Sequence, residues 1–343
     1  MKKRMLALVF CFALIGSVLT GCGGEKPAPD AAPEETPSVE EQTPVETSAF
    51  PKKNIDVVVP FSAGGNSDLL TRNLVSLVPS EKLNGNNFVV SNIVGSAGLV
   101  GLGEWMKMDH DGYHLCVVNC DHVLSRALGA TDVVVEDNFI PLVRLQREPH
   151  SIIVPTNSEV NTLEKFIEKC KSGDNAVTIA TSGANTPSNL VVLAMEEYFG
   201  VEIKEVAYSG APDCMVAVLS GEADATVCTL ISCAGQVAAG ELKSIGLTSP
   251  GGTDMLPDVP FIGDIYPEAA EMDIPSWITL AVSKDAPAED VEWLQKELST
   301  AIESDKYAQV AEDFYMSIKN GTPDEIVEFW KEQYVIYTDL LAK

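Results

Sequence analysis

The chain has 343 residues, with 50 acidic and 23 basic side chains and a formal net charge of −27. A surface this acidic argues against nucleic acid and against anionic lipid headgroups as partners. It is compatible with a small anionic ligand, because salt at about 0.15 M confines the field of surface charges to roughly 8 Å and a cleft lined by amides is locally positive.

The N-terminal segment has the pattern of a bacterial export signal. Basic residues at positions 2–4 precede an apolar run over 5–18, which is too short to span a membrane. The tetrad Leu-Thr-Gly-Cys that ends at Cys22 resembles the lipobox, in which the Cys is lipidated and becomes the new N-terminus. We therefore expect a lipoprotein signal peptide over 1–21 and lipidation of Cys22. A plain signal peptide with an incidental Cys is the alternative.

Residues 22–49 form an acidic, Pro-rich stretch that is nearly free of large apolar side chains. Such a composition buries too little surface to offset the entropy of ordering, which predicts a disordered tether reaching up to ~3 Å per residue. The sequence shows no second hydrophobic span downstream. We therefore expect residues 50–343 to be held at the extracytoplasmic face of the cell membrane, and their number suits two α/β domains.

The stretch 57–70 predicts a strand, a loop and a helix. A β-branched run ends at Pro60, small residues follow, and an apolar-periodic helix opens behind Asn66 or Ser67. The unpaired N–H groups of a helix N-terminus attract anions. The loop has neither the Lys of a Walker A motif nor the GxGxxG spacing of a dinucleotide fold. A nest of amides with small side chains is suited to a carboxylate.

The same strand-to-helix pattern repeats along the chain. Thr186 and Pro187 are residue types favoured at the N-cap and first position of a helix, and Gly200 is the type that often closes one. Alternating strands and helices predict parallel sheets, whose ligands lie at the carboxyl ends of the strands. Further strands are predicted over 87–94, 113–119, 177–180, 203–207 and 223–230.

Cysteine and histidine usage does not indicate a metal site. An even number of Cys in an exported protein suggests disulfides, but these Cys lie in apolar runs typical of buried small hydrophobes, which favours free thiols. No CxxC pair occurs and the histidines are scattered, so we expect neither a metal nor a cofactor. The residues concerned are Cys116, Cys120, Cys170, Cys214, Cys228, Cys233, His110, His114, His122 and His150.

An ordered set of motifs over 50–277 resembles the solute receptors of tripartite tricarboxylate transporters, the Bug-type periplasmic binding proteins. It begins with Phe50-Pro51-Lys52-Lys53 and the stretch Ile55–Pro60, followed by Pro60-Phe61-x-x-Gly64-Gly65-x-x-Asp68 and Asn92-x-x-Gly95-x-Ala97-Gly98. It continues with Asp111-Gly112-Tyr113, Thr181-Ser182-Gly183, Ala207-Tyr208-Ser209-Gly210-Ala211-Pro212, Gly221-Glu222-Ala223-Asp224, Leu256-Pro257-Asp258-Val259-Pro260 and Ser276-Trp277. The ordered set is far more specific than any one of its members.

The resemblance implies an α/β fold of two lobes, a clamshell like that of type II periplasmic binding proteins. Each lobe would be a mainly parallel sheet flanked by helices, with the ligand between the lobes. One lobe would comprise 50–152 plus 253–343 and the other 153–252, joined by two crossovers that act as the hinge. The family's ligands are mostly small carboxylates held by loop amides and bridging waters, without a dedicated Arg.

Two departures from the family pattern concern the particular ligand. This chain has Ser62-Ala63 where the family usually has a second Pro, and Asn189 where it usually has a His. We expect short donors at two facing helix N-termini to bind the ligand, with three aromatic walls for which core packing is the alternative. Asp68 would contact the ligand or cap the helix. The candidates are Phe61, Ser62, Gly64, Gly65, Asn66, Asp68, Ser182, Asn185, Thr186, Ser188, Asn189, Tyr208 and Trp277.

These features predict a binding protein, not an enzyme. We expect a monomer that captures a small carboxylate and presents it to the membrane permease subunits of such a transporter, without binding nucleic acid. A sensor that reports ligand occupancy to a signalling partner is one alternative. A surface hydrolase with Ser67 or Ser182 as nucleophile is another, but the chain has no GxSxG elbow and no His with an evident acid partner.

Overall fold

The structure is a computed structural model that describes residues 50–342. The predicted signal peptide over 1–21, the lipidation site Cys22 and the predicted tether over 22–49 lie outside the described residues. Within the described part, no helix combines the length and the apolar character that crossing a membrane requires.

The described residues contain ten strands in two five-stranded sheets. The first sheet consists of β1 (Ile55–Val59), β2 (Phe88–Asn92), β3 (His114–Asn119), β4 (Phe139–Pro149) and β10 (Pro275–Ser283), in the order β2-β1-β3-β10-β4. The second sheet consists of β5 (Ser151–Pro155), β6 (Thr178–Thr181), β7 (Lys204–Ala207), β8 (Ala225–Cys228) and β9 (Leu242–Leu247), in the order β7-β6-β8-β5-β9.

Each sheet has one strand that runs against the other four. In the first sheet β1 is parallel to β2 and β3, while β10 pairs antiparallel with both β3 and β4. In the second sheet β6 is parallel to β7 and β8, while β5 pairs antiparallel with β8 and β9. The sheets are therefore mixed in pairing but mainly parallel in direction, as predicted.

The chain passes from one sheet to the other at two places. The chain passes from β4 to β5 and later from β9 to β10, each time leaving one sheet for the other. These passages are where the sequence places its two hinge crossovers. The lobe limits at 152/153 and 252/253 stay a prediction.

Twelve α-helices flank the sheets within the described residues. They are α1 (Asn66–Ser76), α2 (Leu99–Trp105), α3 (Cys120–Ala127), α4 (Val135–Asn138), α5 (Leu163–Cys170), α6 (Pro187–Phe199), α7 (Ala211–Ser220), α8 (Leu230–Ala238), α9 (Ile262–Ile265), α10 (Ala288–Ile302), α11 (Asp305–Asp313) and α12 (Pro323–Leu341). Short 3₁₀ helices span Ser80–Leu83, Ser96–Gly98 and Pro267–Ala269.

The predicted start and end of α6 are confirmed. The Thr186 side chain accepts a hydrogen bond from the backbone of Asn189, and Pro187 occupies the first turn, where its missing N–H costs nothing. Gly200 closes the helix in the left-handed conformation, with φ at 61°. The limits of this helix were therefore predictable from local residue types.

The hydrophobic core has layers on both faces of the first sheet. Val58 packs in one buried cluster, while Val57 and Val59 pack in another. Successive side chains of a strand point to opposite faces, so this alternation means that β1 is covered on both sides. The apolar run before Pro60 is therefore a fully buried strand, and this strand fixes the position of the loop that follows it.

Candidate functional site

A cavity of about 320 Å³ lies where the two sheets face each other. Its walls come from the carboxyl ends of β1 and β3 in the first sheet and of β6, β7 and β8 in the second. The lining residues are Phe61, Gly65, Asn66, Ser67, Asn119, Cys120, Asp121, His150, Ser182, Pro187, Ser188, Ala211, Val227, Cys228, Thr229, Ser232, Ser276 and Ile278. This is the edge at which α/β sheets hold their ligands.

A larger surface hollow of about 750 Å³ lies between α6 and α12, away from these strand ends. Six acidic side chains and a single basic one, Lys331, line it. An anion would be repelled there, so volume alone is a poor guide to the site. The smaller cavity has the surroundings that an anion needs.

Five helices begin at the cavity. The first residues of α1, α3, α6 and α7 line it, and so does Thr229, the N-cap of α8. The first amides of a helix lack partners within the helix and carry a partial positive charge, which attracts anions. No Lys or Arg belongs to this lining within the described residues. Backbone amides are therefore the main source of positive potential.

Asp68 organises the first loop. Its Oδ2 accepts a hydrogen bond from the Gly64 amide at 2.9 Å, and its Oδ1 accepts from Arg72 at 2.8 Å and Asn92 at 3.0 Å. Burial alone would raise the pKa of Asp68, but these hydrogen bonds outweigh it and hold the pKa below its ordinary value. Asp68 is buried and lies outside the cavity lining, so it acts on the loop.

The first loop turns tightly before α1. The Gly65 amide donates to the Ser62 carbonyl at 3.1 Å, and Gly64 adopts a left-handed φ of 79°. The turn brings Phe61, Gly65 and Asn66 to the cavity, while Ser62 and Gly64 are exposed and outside its lining. Three of the predicted contacts in this loop therefore lie together at the cavity.

The second loop, 182–188, is held by its own hydroxyl groups. The Ser188 hydroxyl accepts from the Ser182 amide at 3.1 Å and lies 2.9 Å from the hydroxyl of Ser182. Thr186 donates to the carbonyl of Gly183 at 2.7 Å. Ser182 and Ser188 line the cavity, while Thr186 does not. Neither Ser67 nor Ser182 hydrogen-bonds to a His among residues 50–342, so no nucleophile–base pair is present there.

The predicted asparagines of this loop also lie outside the cavity lining. The Asn189 amide donates to Glu205 at 2.7 Å, and its oxygen accepts from the backbone of Asn185 at 3.3 Å. Asn185 adopts a left-handed φ of 61°, a conformation that Asn tolerates well. Both residues therefore shape the backbone whose amides face the cavity.

Of the three predicted aromatic walls, the structure brings only Phe61 to the cavity. Trp277 is fully buried, with its ring 6.1 Å from Trp330 and in edge contact with Phe329 at 5.8 Å. Tyr208 follows β7 and packs against the core cluster beside α7 and α8. Both positions match the core-packing alternative.

The third helix at the cavity, α3, was not predicted. Asn119 caps it by accepting from the Asp121 amide at 3.1 Å, and the Asn119 amide in turn donates to Nδ1 of His122 at 3.1 Å. Because Nδ1 accepts, the ring hydrogen lies on Nε2. Burial lowers the pKa of His122 to about 4, so the ring is neutral at pH 7. Asn with a polar acceptor three positions later is the signal that marks this start.

Gly98 allows α2, α3 and the first loop to pack closely. Its φ is 87°, and a Cβ added there would lie 2.7 Å from His122 and 2.9 Å from the ring of Phe61. Only glycine fits this space and this backbone conformation. The Gly-rich segment 95–101 therefore serves close packing, and it holds the ring of Phe61, which lines the cavity.

Two titratable groups at the cavity were missed. Asp121 accepts from the Asn119 side chain at 3.0 Å, and burial raises the pKa of its carboxyl. Nδ1 of His150 is 2.8 Å from the carbonyl of Ile274, and burial lowers the pKa of this His. Because a carbonyl can only accept, Nδ1 carries the hydrogen. Each is an isolated residue in the sequence, without a motif to indicate its role.

A match to a known family model decides which family this chain belongs to. The model of the "Tripartite tricarboxylate transporter family receptor", TctC, matches residues 74–341, most of the chain. The chain belongs to the TctC receptor family. This confirms the predicted family and the interpretation as a binding protein, because the family consists of transport receptors and not of enzymes.

Relatives and solved structures agree with the TctC assignment. A protein of the tcbD–tcbE intergenic region of Pseudomonas sp. strain P51 is 25% identical over 299 residues, 86% of this chain and 87% of that protein. A TctC solute-binding protein from Polaromonas, solved without ligand, has a TM-score of 0.75 at 24% identity and covers 85% of this chain and 99% of its own. MatC from Rhodopseudomonas palustris, with bound malate, has a TM-score of 0.68 at 20% identity, with coverages of 85% and 99%. The two-lobed fold is thereby confirmed.

Proposed function

We propose that this TctC receptor is a lipid-anchored, extracytoplasmic monomer that captures a small carboxylate in the cavity between its sheets and delivers it to a membrane permease. One observation supports a carboxylate as the ligand. Five helix N-termini converge on a cavity whose lining, within the described residues, contains no Lys or Arg. Oriented amides can bind an anion without a basic side chain.

The malate bound to MatC supports the ligand class, because malate is a small carboxylate. Amide donors approach the cavity from both sheets, so a ligand between them gains hydrogen bonds from the second side only when the cleft is closed. Such a difference in contacts shifts a two-lobed protein towards its closed state. Phe61, Gly65, Asn66, Ser182 and Ser188 are the predicted residues nearest this ligand. The remaining candidates within the two loops would act by shaping them, while Tyr208 and Trp277 would contribute core packing.

The lipid anchor rests on the sequence around Cys22. The basic residues, the apolar run and the Leu-Thr-Gly-Cys tetrad together support lipidation, and the acidic stretch behind them supports a tether. Replacing Cys22 by Ala should block processing or release the protein from membranes. A variant that is still processed and still sediments with membranes would contradict the anchor.

Ligand binding is tested by a thermal-shift screen of the purified protein against mono-, di- and tricarboxylates. A ligand present at 100 times its Kd stabilises the folded state by ~2.7 kcal/mol, which raises Tm by several degrees in a protein of this size. The best ligand should be recovered unchanged after incubation. Conversion at a rate that follows protein concentration would decide for an enzyme, and a screen without any shift would contradict the proposed ligand class.

A further inference from the structure

The cavity has two hydrogen-bond acceptors that no protein donor satisfies fully. Asp121 Oδ2 accepts from Asn119, while Oδ1 makes no hydrogen bond to a described residue. His150 is nine-tenths buried and its Nδ1 hydrogen is donated to Ile274, so Nε2 presents a lone pair, also without a partner among residues 50–342. Both residues line the cavity.

These acceptors lack a cation as well. Asp121 takes part in no salt bridge of the described residues, and the basic side chains nearest the first loop, such as Arg72, are engaged with Asp68. Asp121 lies in the first turn of α3, whose partial positive charge offsets only part of the cost of a partly desolvated carboxylate without a counter-ion. A ligand that supplies the missing donor or positive charge would offset more of it. The capping of α3 does not explain Asp121, because Asn119 already accepts its amide hydrogen.

We infer that the ligand of this receptor is a small carboxylate that also carries a protonated amine, held with its carboxylate at the helix N-termini and its ammonium group at Asp121 and His150. The inference rests on the proposed function and narrows its ligand class. An ammonium group has three N–H donors, enough for both acceptors, and it would place a positive charge beside Asp121.

A ligand with carboxylates alone satisfies these groups less well. It would place a second negative charge near Asp121, or it would require Asp121 to be protonated. A protonated Asp121 could donate to such a ligand, but Nε2 of His150 would still face the cavity without a donor. A hydroxyl group would supply one donor and no charge. The cavity of about 320 Å³ is at the lower end for ligand sites, which suits a compact zwitterion.

The test compares matched ligand pairs by calorimetric titration of the purified, full-length protein. The pairs are aspartate and succinate, glutamate and glutarate, and 4-aminobutyrate and butyrate. In the pair that fits best, we expect the amine-bearing member to bind at least tenfold more tightly. Equal or tighter binding of the amine-free member in every pair that binds would overturn the inference and leave carboxylate binding intact. Absence of binding by all six would overturn the inference alone, because the wider carboxylate screen decides the proposed function.

Asp121→Asn separates charge from shape. Asn is nearly the same size and its oxygen can still accept from Asn119, so the fold should survive. Loss of a hydrogen bond to a charged group should weaken binding of the amine-bearing ligand about tenfold to a hundredfold. Binding of its amine-free partner should be unchanged or tighter.

Asp132→Asn is the matched control, since Asp132 is exposed and outside the cavity lining. It makes the same change of charge and should leave both affinities unchanged. If Asp121→Asn weakened the two members of a pair equally, Asp121 would have only a structural role and the inference would be wrong. The pair comparison on the parent protein decides the question even if the variant does not fold.

Discussion

Replacing Gly65 by Glu should abolish carboxylate binding while the protein remains folded. Gly65 is the N-cap of α1, lines the cavity and has an extended conformation with φ at −78°, which any residue can adopt. A Cβ added there would meet only the Ser62 carbonyl, at 3.2 Å, so a shift of a few tenths of an ångström accommodates it. A negative charge at a helix N-terminus is favourable by ~0.3–1 kcal/mol, which offsets part of that cost.

The magnitude follows from the charge placed beside the ligand. Two carboxylates about 5 Å apart at an effective dielectric constant of about 20 repel each other by roughly 3 kcal/mol. The new carboxylate also competes for the amides of α1, and loss of a hydrogen bond to a charged group costs ~1.5–3 kcal/mol. Together these effects predict a loss of affinity of a hundredfold or more.

Gly65→Gln is the matched control, because it adds the same bulk without the charge. We expect calorimetric titration with the best ligand of the screen to show weak or no binding for Gly65→Glu and a much smaller loss for Gly65→Gln. Circular dichroism and Tm would verify that both variants are folded. If Gly65→Glu bound as well as Gly65→Gln, the amides of the first loop would not anchor the ligand and the site assignment would be refuted.

Three further predictions concern the residues that hold the cavity in shape. An Asn at position 68 cannot accept hydrogen bonds from Gly64 and from Arg72 at once, so Asp68→Asn should lower the free energy of unfolding by ~1–3 kcal/mol in denaturant titration. Ligand affinity should fall with it. An unchanged denaturation midpoint would show that Asp68 does not hold the first loop. Gly98→Ala should lower Tm by several degrees, since its Cβ would lie 2.7 Å from His122. A variant as stable as the parent would show that His122 and its neighbours can move to make room for the Cβ. The pKa of His122 is about 4 when folded and about 6.5 when unfolded, so the stability that the neutral ring maintains above pH 6.5 is lost as pH falls towards 4, by about 3 kcal/mol. His122→Gln keeps an acceptor at the capping position and should reduce that slope, and an equally steep dependence in the variant would contradict the assignment.

The sequence predicts those elements whose signals are local. Gly200 and Gly221 both close their helices in the left-handed conformation, with φ at 61° and 78°. The strand before the first loop is recognisable because it is apolar on both faces. The family motifs then supply the two-lobed arrangement, which no single element indicates.

Helix α3 and strands β4 and β5 were missed, and each lies where one element follows another with almost no loop between them. β3 ends at Asn119 and α3 begins at Cys120, so no loop marks the change from strand to helix. The passage from β4 to β5 has the same character, since a single residue, His150, separates them. Cys120, Asp121 and His150 reach the cavity from these two places, which is why none of them was predicted.

The exposure of an aromatic side chain depends on packing between segments distant in the chain. Trp277 is covered by Phe329 and Trp330 of α12, about fifty positions later. Nothing near Trp277 in the sequence reports this contact. The prediction that Trp277 forms a wall of the ligand site therefore rested only on the chemistry of its ring.

The short polar side chains of the two loops shape the site more than they contact its cavity. Asp68 holds the Gly64 amide, Thr186 caps α6, and Asn189 is engaged by Glu205. These side chains are used within the protein, and they fix the direction of the backbone at the helix N-termini that face the cavity. Backbone amides can donate hydrogen bonds to any carboxylate of suitable size, so they cannot by themselves distinguish one carboxylate ligand from another. Discrimination then falls to cavity-lining side chains with unused hydrogen-bonding capacity, and among the described residues these include Asp121 and His150.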